Sequence, residues 1–182
     1  MKKYLVLFVV LAISQMVAAQ SLIGTWKATY EEDGQTHMRY LVFSKPNKVE
    51  ETTIANVFYT YDDRLEFGNS AGQLPFCPLV DTWIGTYKVE KNRWGETVIY
   101  LQLNVHTNTL GKIEYPDGLS EERKKKALEH ARWKADFFLG NWMTDSKAKA
   151  KRINVQSTYN CEFIDANTFK TGNKTFERET SK

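Results

Sequence analysis

At 182 residues the chain is long enough for one sizeable core and reads as one domain. Its formal net charge of +3 falls to +1 once Lys2 and Lys3 are removed with the N-terminal segment, and that near balance excludes a whole-molecule attraction to nucleic acid. No stretch beyond that segment approaches the roughly 18 apolar residues of a spanning helix, so a transmembrane segment is excluded too.

The chain opens with Met1-Lys2-Lys3, an apolar run from Tyr4 to Val17, and Ala18-Ala19. These are the charged, apolar and small-residue parts of a secretory signal. Cleavage is expected after Ala19, leaving residues 20–182 as a soluble exported domain, periplasmic or secreted. No Cys follows the small residues, so a lipid anchor is not expected.

Residues 22–31 alternate, with Leu22, Gly24, Trp26, Ala28 and Tyr30 on the apolar face. Gly before a large aromatic lets backbone pass close while Trp26 points to the interior. Glu32 to Gln35 forms a hairpin turn into a second strand, residues 36–44, whose inward face is assigned to Met38, Tyr40 and Val42. Lys45-Pro46-Asn47 turns the chain again. Residues 48–61 are rich in β-branched and aromatic types and read as one bent strand or two short ones. Asp62-Asp63 reads as a turn and Arg64 to Phe67 as a short strand. Residues 68–80, with two Gly and two Pro and no period, read as a long loop, placed as a lid with Leu74, Pro75 and Phe76 as its apolar underside.

Residues 81–91 resume alternation with Trp83, Gly85, Tyr87 and Val89 on one face. Asn92 to Gly95 turns this strand into the next, Glu96 to Val105, with Gly95 where a positive φ is needed. Residues 106–118 read as irregular. A single late helix follows, capped by Ser120, with Glu121 and Glu122 at its positive end and Gly140 to close it. Its apolar stripe is Leu128, Ala131, Ala135 and Phe138, and its outer face carries Arg123 to Lys126. Three closing strands are read near 152–159, 161–169 and 174–179.

The fold class is therefore all-β: an antiparallel up-and-down barrel of eight or nine strands with one late α-helix packed outside, or a sandwich. Cys77 and Cys161 are the only cysteines, and an oxidising compartment favours a disulfide between them over two buried thiols. His37, His106 and His130 stand in separate elements without metal spacing, so no metal or cofactor is expected. There is no nucleophile elbow, phosphate loop or Cys-x-x-Cys, and no catalytic residue is assigned. The basic run at 123–126 reads as solubilising, with an anionic partner surface as the alternative.

Gly24-x-Trp26 at the first strand, the strand count, the late helix and Arg178 near the end resemble lipocalins and the wider calycin barrels. The Thr-Asp-Tyr signature of lipocalins is missing, and two or three strands follow the helix, so the resemblance is to a lipocalin-like protein of the small bacterial exported type. It implies that Arg178 covers Trp26 to close one end of the barrel, and that the interior takes a small hydrophobic or amphipathic molecule. On the residues, Tyr40, Trp83 and Tyr87 would wall such a site under Leu74 and Phe76. A non-enzymatic binding protein is the first expectation. An envelope protein-interaction module using the barrel as scaffold, and a calycin-type barrel enzyme, are the alternatives.

Overall fold

The computed structural model describes residues 22–32, 35–57, 59, 61–139 and 151–180. The expected signal segment at 1–19 and Gly140 lie outside them, as do the side chains of Phe137 and Phe138. Eight antiparallel strands close into one barrel in sequence order: β1 (Gly24–Glu32), β2 (Gln35–Ser44), β3 (Lys48–Asn56), β4 (Pro78–Lys91), β5 (Thr97–Leu110), β6 (Lys151–Asp165), β7 (Thr168–Thr171) and β8 (Lys174–Arg178). Helix α1 (Tyr61–Phe67) precedes β4, and α2 (Glu121–Leu139) stands between β5 and β6. No described helix is long and apolar enough to cross a membrane.

Closure pairs β1 with β8, Trp26 opposite Arg178. The Arg178 guanidinium lies 4.4 Å from the Trp26 ring centre and donates from Nη1 to the Ile23 carbonyl at 2.7 Å. Trp26 donates from Nε1 to the Leu22 carbonyl at 2.7 Å. Gly24 has φ of 133°, and a Cβ there would stand 3.3 Å from Arg178 Nη1. The Gly-x-Trp spacing thus serves one corner: a backbone angle that side chains disfavour, beside a guanidinium laid over the indole. Phe43, Val49, Ile99, Leu101, Phe169 and Phe176 share one buried cluster with Trp26, whose ring centre lies 4.9 Å from Phe169, and Phe169 stacks on Phe176 at 5.0 Å.

Several local expectations are corrected. The pairing Trp26–Leu41 and Ala28–Arg39 puts Arg39, Leu41 and Phe43 inside, and Met38, Tyr40 and Val42 outside. Residues 61–67 are helical, with Asp62 and Asp63 in the first turn, where carboxylates favour the helix dipole, and with Phe67 buried. β5 continues through the stretch read as irregular because of a bulge: Gly85 pairs with Leu103 and Ile84 with Val105, leaving Asn104 extra. Ile99, Leu101 and Leu103 share the inward face below it, and His106, Asn108 and Leu110 above it. Gly85 sits against this bulge so tightly that a Cβ would fall 2.0 Å from the Gln102 carbonyl oxygen.

The expected Cys77–Cys161 disulfide is not formed. Cys161 pairs with Thr97 near the Trp26 end, whereas Cys77 precedes β4 at the other end, where its sulfur lies 3.0 Å from the Tyr59 hydroxyl. Both are buried thiols. Burial pushes the Cys161 thiol up to about 12 and raises Cys77 as well, against the opposing Tyr59 hydrogen bond.

A second cluster, Val57, Tyr59, Phe67, Cys77, Ala127 and Ala131, caps the end away from Trp26 and includes Leu79 and Leu110, the last inward positions of β4 and β5. Ser120 Oγ accepts from the Arg123 amide at 3.3 Å to start α2. The 68–77 loop is fixed to this cap: Asn69 accepts from the Ala71 and Gln73 amides and donates to the Asp117 carbonyl, and Phe76 pairs with Glu114.

Candidate functional site

The register converts sequence into layers of the lumen. Leu41, Glu51, Trp83 and His106 form one inward row across β2–β5, and Arg39, Thr53, Asp81 and Asn108 the next. The first row begins on the packed floor and the second climbs toward the cap.

Tyr159 enters from β6, on the far wall, and donates from its hydroxyl to Glu51 Oε1 at 2.7 Å. Arg39 Nη1 donates to the same hydroxyl at 3.4 Å and lies 3.7 Å from Glu51 Oε1. Burial and the Glu51 charge raise the Tyr159 pKa, so the phenol keeps the proton it donates. Burial opposes the charge of Arg39, but Tyr159 and Glu51 outweigh it and hold the guanidinium above its ordinary pKa. The three side chains form a polar bridge across the lumen, with Glu51 only 8% exposed.

Below this bridge the barrel is filled. Above it, inward side chains of a closed barrel keep contact with solvent: Arg39 at 24% and Asp81 at 39% of their side-chain surface. This solvent-reached upper part is the open half of the lumen. On the β4–β5 wall Asp81 bonds His106 Nε2 through Oδ1 and accepts Trp83 Nε1 at Oδ2, 2.8 Å away, while the Trp83 and His106 rings stack at 3.8 Å. On the β1–β2 wall Tyr30 stacks on His37 at 5.5 Å, and Lys174 Nζ lies 4.3 Å from its ring centre.

Of the residues expected to line a site, Trp83 is inward and half-buried, at the level of Glu51 and packed against the top of the floor cluster. Tyr87 is in the filled half, edge-on to Phe43 at 4.8 Å. Leu74 packs in the cap cluster, and Phe76 lies half-buried in the loop beside it. Tyr40 lies outside with Lys27 against its ring at 5.4 Å, because the inward place on that stretch belongs to Arg39. Sequence reasoning missed Arg39, Glu51, Asp81, His106, Asn108 and Tyr159. The available signal was the charged Glu51 and Asp81 at the parity of Val49 and Trp83.

Arg123, Lys124 and Lys126 of the basic run bond Gly68, Glu121 and Glu122. Their charges are thus partly spent within the cap. Among the described residues no three His, Cys, Asp or Glu side chains gather as a metal site. Comparison with family models, curated proteins and solved structures gives no match in any of the three.

Proposed function

We propose that the protein is an exported, lipocalin-like binding barrel that holds one small amphipathic molecule above the Tyr159–Glu51–Arg39 bridge. The observation that carries this is the accessibility of inward polar and aromatic groups over a packed floor, with Trp83 as the aromatic wall. The eight-stranded closure and the Gly24-Trp26-Arg178 corner support the lipocalin likeness; the Lys-Lys-apolar-Ala-Ala start supports export.

Trp83 is the natural probe, since a ligand against it alters its fluorescence. Titration with fatty acids, fatty alcohols and hydrophobic dyes should give a saturable change, and Trp83→Phe should remove most of it. A broad panel without a saturable signal would sink the reading. Native mass spectrometry of protein from its own host would then give the mass of any natural ligand.

One observation favours the enzyme alternative: Asp81 orients His106 inside the open half, the arrangement of a general base. The His106 Nε2 is engaged by Asp81 and its Nδ1 is buried, so neither ring nitrogen faces a substrate, which is why binding is preferred. Conversion of a bound mass on incubation, abolished by His106→Gln, would move the protein into that class.

A further inference from the structure

We propose that the free edge of β6 is a dimer interface, on which β6 of a second copy of this chain lies antiparallel about a two-fold axis at Val155. The proposal concerns the outside of the barrel and does not depend on the binding reading above.

β6 is paired unequally on its two sides. Its rungs to β5 run from Thr97–Cys161 to His106–Lys151, whereas its rungs to β7 begin only at Glu162–Lys170. The cause is the shortness of β7 and β8, which have 4 and 5 residues against 15 in β6. Their turn stops low, and a notch is left in the barrel wall above it. Among the described residues, no backbone pairs with the second edge of β6 from Arg152 to Asn160. On such an edge every second residue turns its N–H and C=O away from the sheet. Only another extended backbone presents donors and acceptors at the matching spacing, so the occupant is a polypeptide strand.

Proteins guard free strand edges with charges and Pro. One lip of the notch is guarded in this way: Glu31 and Glu32 end β1 exposed, and Lys174 starts β8. The β6 lip is not. From Ile153 to Asn160 it carries no charge, no Pro and no Gly, and Ile, Val, Thr and Tyr favour strands.

The side chains along this edge select a second copy over an unrelated strand. Gln102 of β5 stands opposite Gln156 on the outer face; it donates from Nε2 to Asn154 Oδ1 and accepts from Gln156 Nε2 at 3.1 Å. An amide ladder thus crosses the outside of β5 and β6 and reaches the free edge, where Asn154, Gln156 and Thr158 are exposed. A two-fold axis at Val155 sets Asn154 opposite Gln156 of the second copy and Arg152 opposite its Thr158. The ladder then runs on from one barrel to the next. The two Arg152 side chains stand apart, which avoids the repulsion of like charges placed directly opposite. Each copy uses up the other's edge, so the assembly closes at two.

The test is sedimentation equilibrium of the chain from Gln20 to Lys182 over a wide concentration range. A reversible monomer–dimer equilibrium is expected, with a dissociation constant of roughly tens of micromolar, because one pair of edge strands buries less surface than a stable dimer does. Thr158→Arg sets like charges opposite each other twice and should raise that constant about tenfold, while Thr158→Glu sets opposite charges there and should lower it several-fold. Thr158 is exposed, so both variants should keep the parent's unfolding midpoint at low concentration. Backbone hydrogen exchange between Arg152 and Asn160 should slow as concentration rises. A monomer at every concentration would overturn the proposal and leave the edge to a strand of another protein. A dimer indifferent to both changes at Thr158 would place the contact elsewhere and overturn it too. So would amides protected equally at the lowest concentration, since the chain would then cover its own edge.

Discussion

The two halves of this barrel are built from the same strands and do different work. Below the Tyr159–Glu51–Arg39 bridge, Trp26, Phe43, Phe169 and Phe176 fill the lumen and are fully buried or nearly so. Above it, inward positions of β4 and β5 carry Asp81, Trp83 and His106, which are only partly buried. A single strand such as β4 passes from Tyr87 and Gly85 in the filled half, through Trp83 at the level of Glu51, to Asp81 in the open half. The packed apolar side chains and the inward polar groups are thus separated along the barrel axis rather than between domains. Polar groups that would weaken a core are gathered where they can meet a ligand or water.

The sharpest way to break this contrast is Trp26→Ala. It removes the largest fully buried side chain together with its Arg178 contact, and an aromatic-to-alanine change in a core costs about 3 to 5 kcal/mol. Denaturant unfolding should show that loss, and a change below about 1 kcal/mol would deny that the lower half carries the stability. Tyr159→Phe acts on the boundary itself. It keeps the ring edge-on to Phe176 but removes the donor to Glu51, a buried hydrogen bond to a charged group whose loss costs about 1 to 3 kcal/mol. Trp83 fluorescence in the unliganded variant should also shift, because the floor of the open half becomes wetter.

The smallest effect concerns the cap. His130 lies on α2, its ring tilted against Phe67 at 4.8 Å and its Nε2 3.4 Å from Asp63 of α1. Burial holds its pKa below the ordinary value, and Lys134 adds to that, against the opposing pull of Asp63 and Glu66. The unfolded chain therefore takes up a proton at higher pH than the folded one, so this contribution is full above about pH 6.5 and is lost as pH falls toward the folded value. Melting temperature measured from about pH 7 to about pH 5 should fall less steeply in His130→Gln than in the parent. Identical slopes would show that the histidine does not couple the cap to pH.

Much of the lower half was legible in the sequence. The alternation through Trp26 and through Tyr87 and the turn at Asn92 with Gly95 at φ of 83° are local signals that the tertiary structure keeps, as is the Ser120 start of α2 in the cap. The upper half was not, for three physical reasons. Arg39 reverses the apparent polarity of β2, since an inward arginine is tolerated only because Glu51 and Tyr159 meet it from other strands. α1 is seven residues long and held by Phe67 in the cap, too short for a helical period to stand out. The bulge at Asn104 changes the parity of β5, so the pattern that marks Glu96 to Val105 as a strand stops just where the site begins.

That bulge has an evolutionary consequence. The odd positions of β5 up to Leu103 and the even positions from His106 share one face only because Asn104 absorbs the difference. Loss of that one codon would leave a regular strand with His106 and Asn108 still facing inward. Gain of a codon between them would turn Asn108 and Leu110 to the outside unless a new irregularity formed. Insertions and deletions in related chains should therefore collect at 104 and be purged from the few residues after it, a pattern set by counting residues rather than by their chemistry.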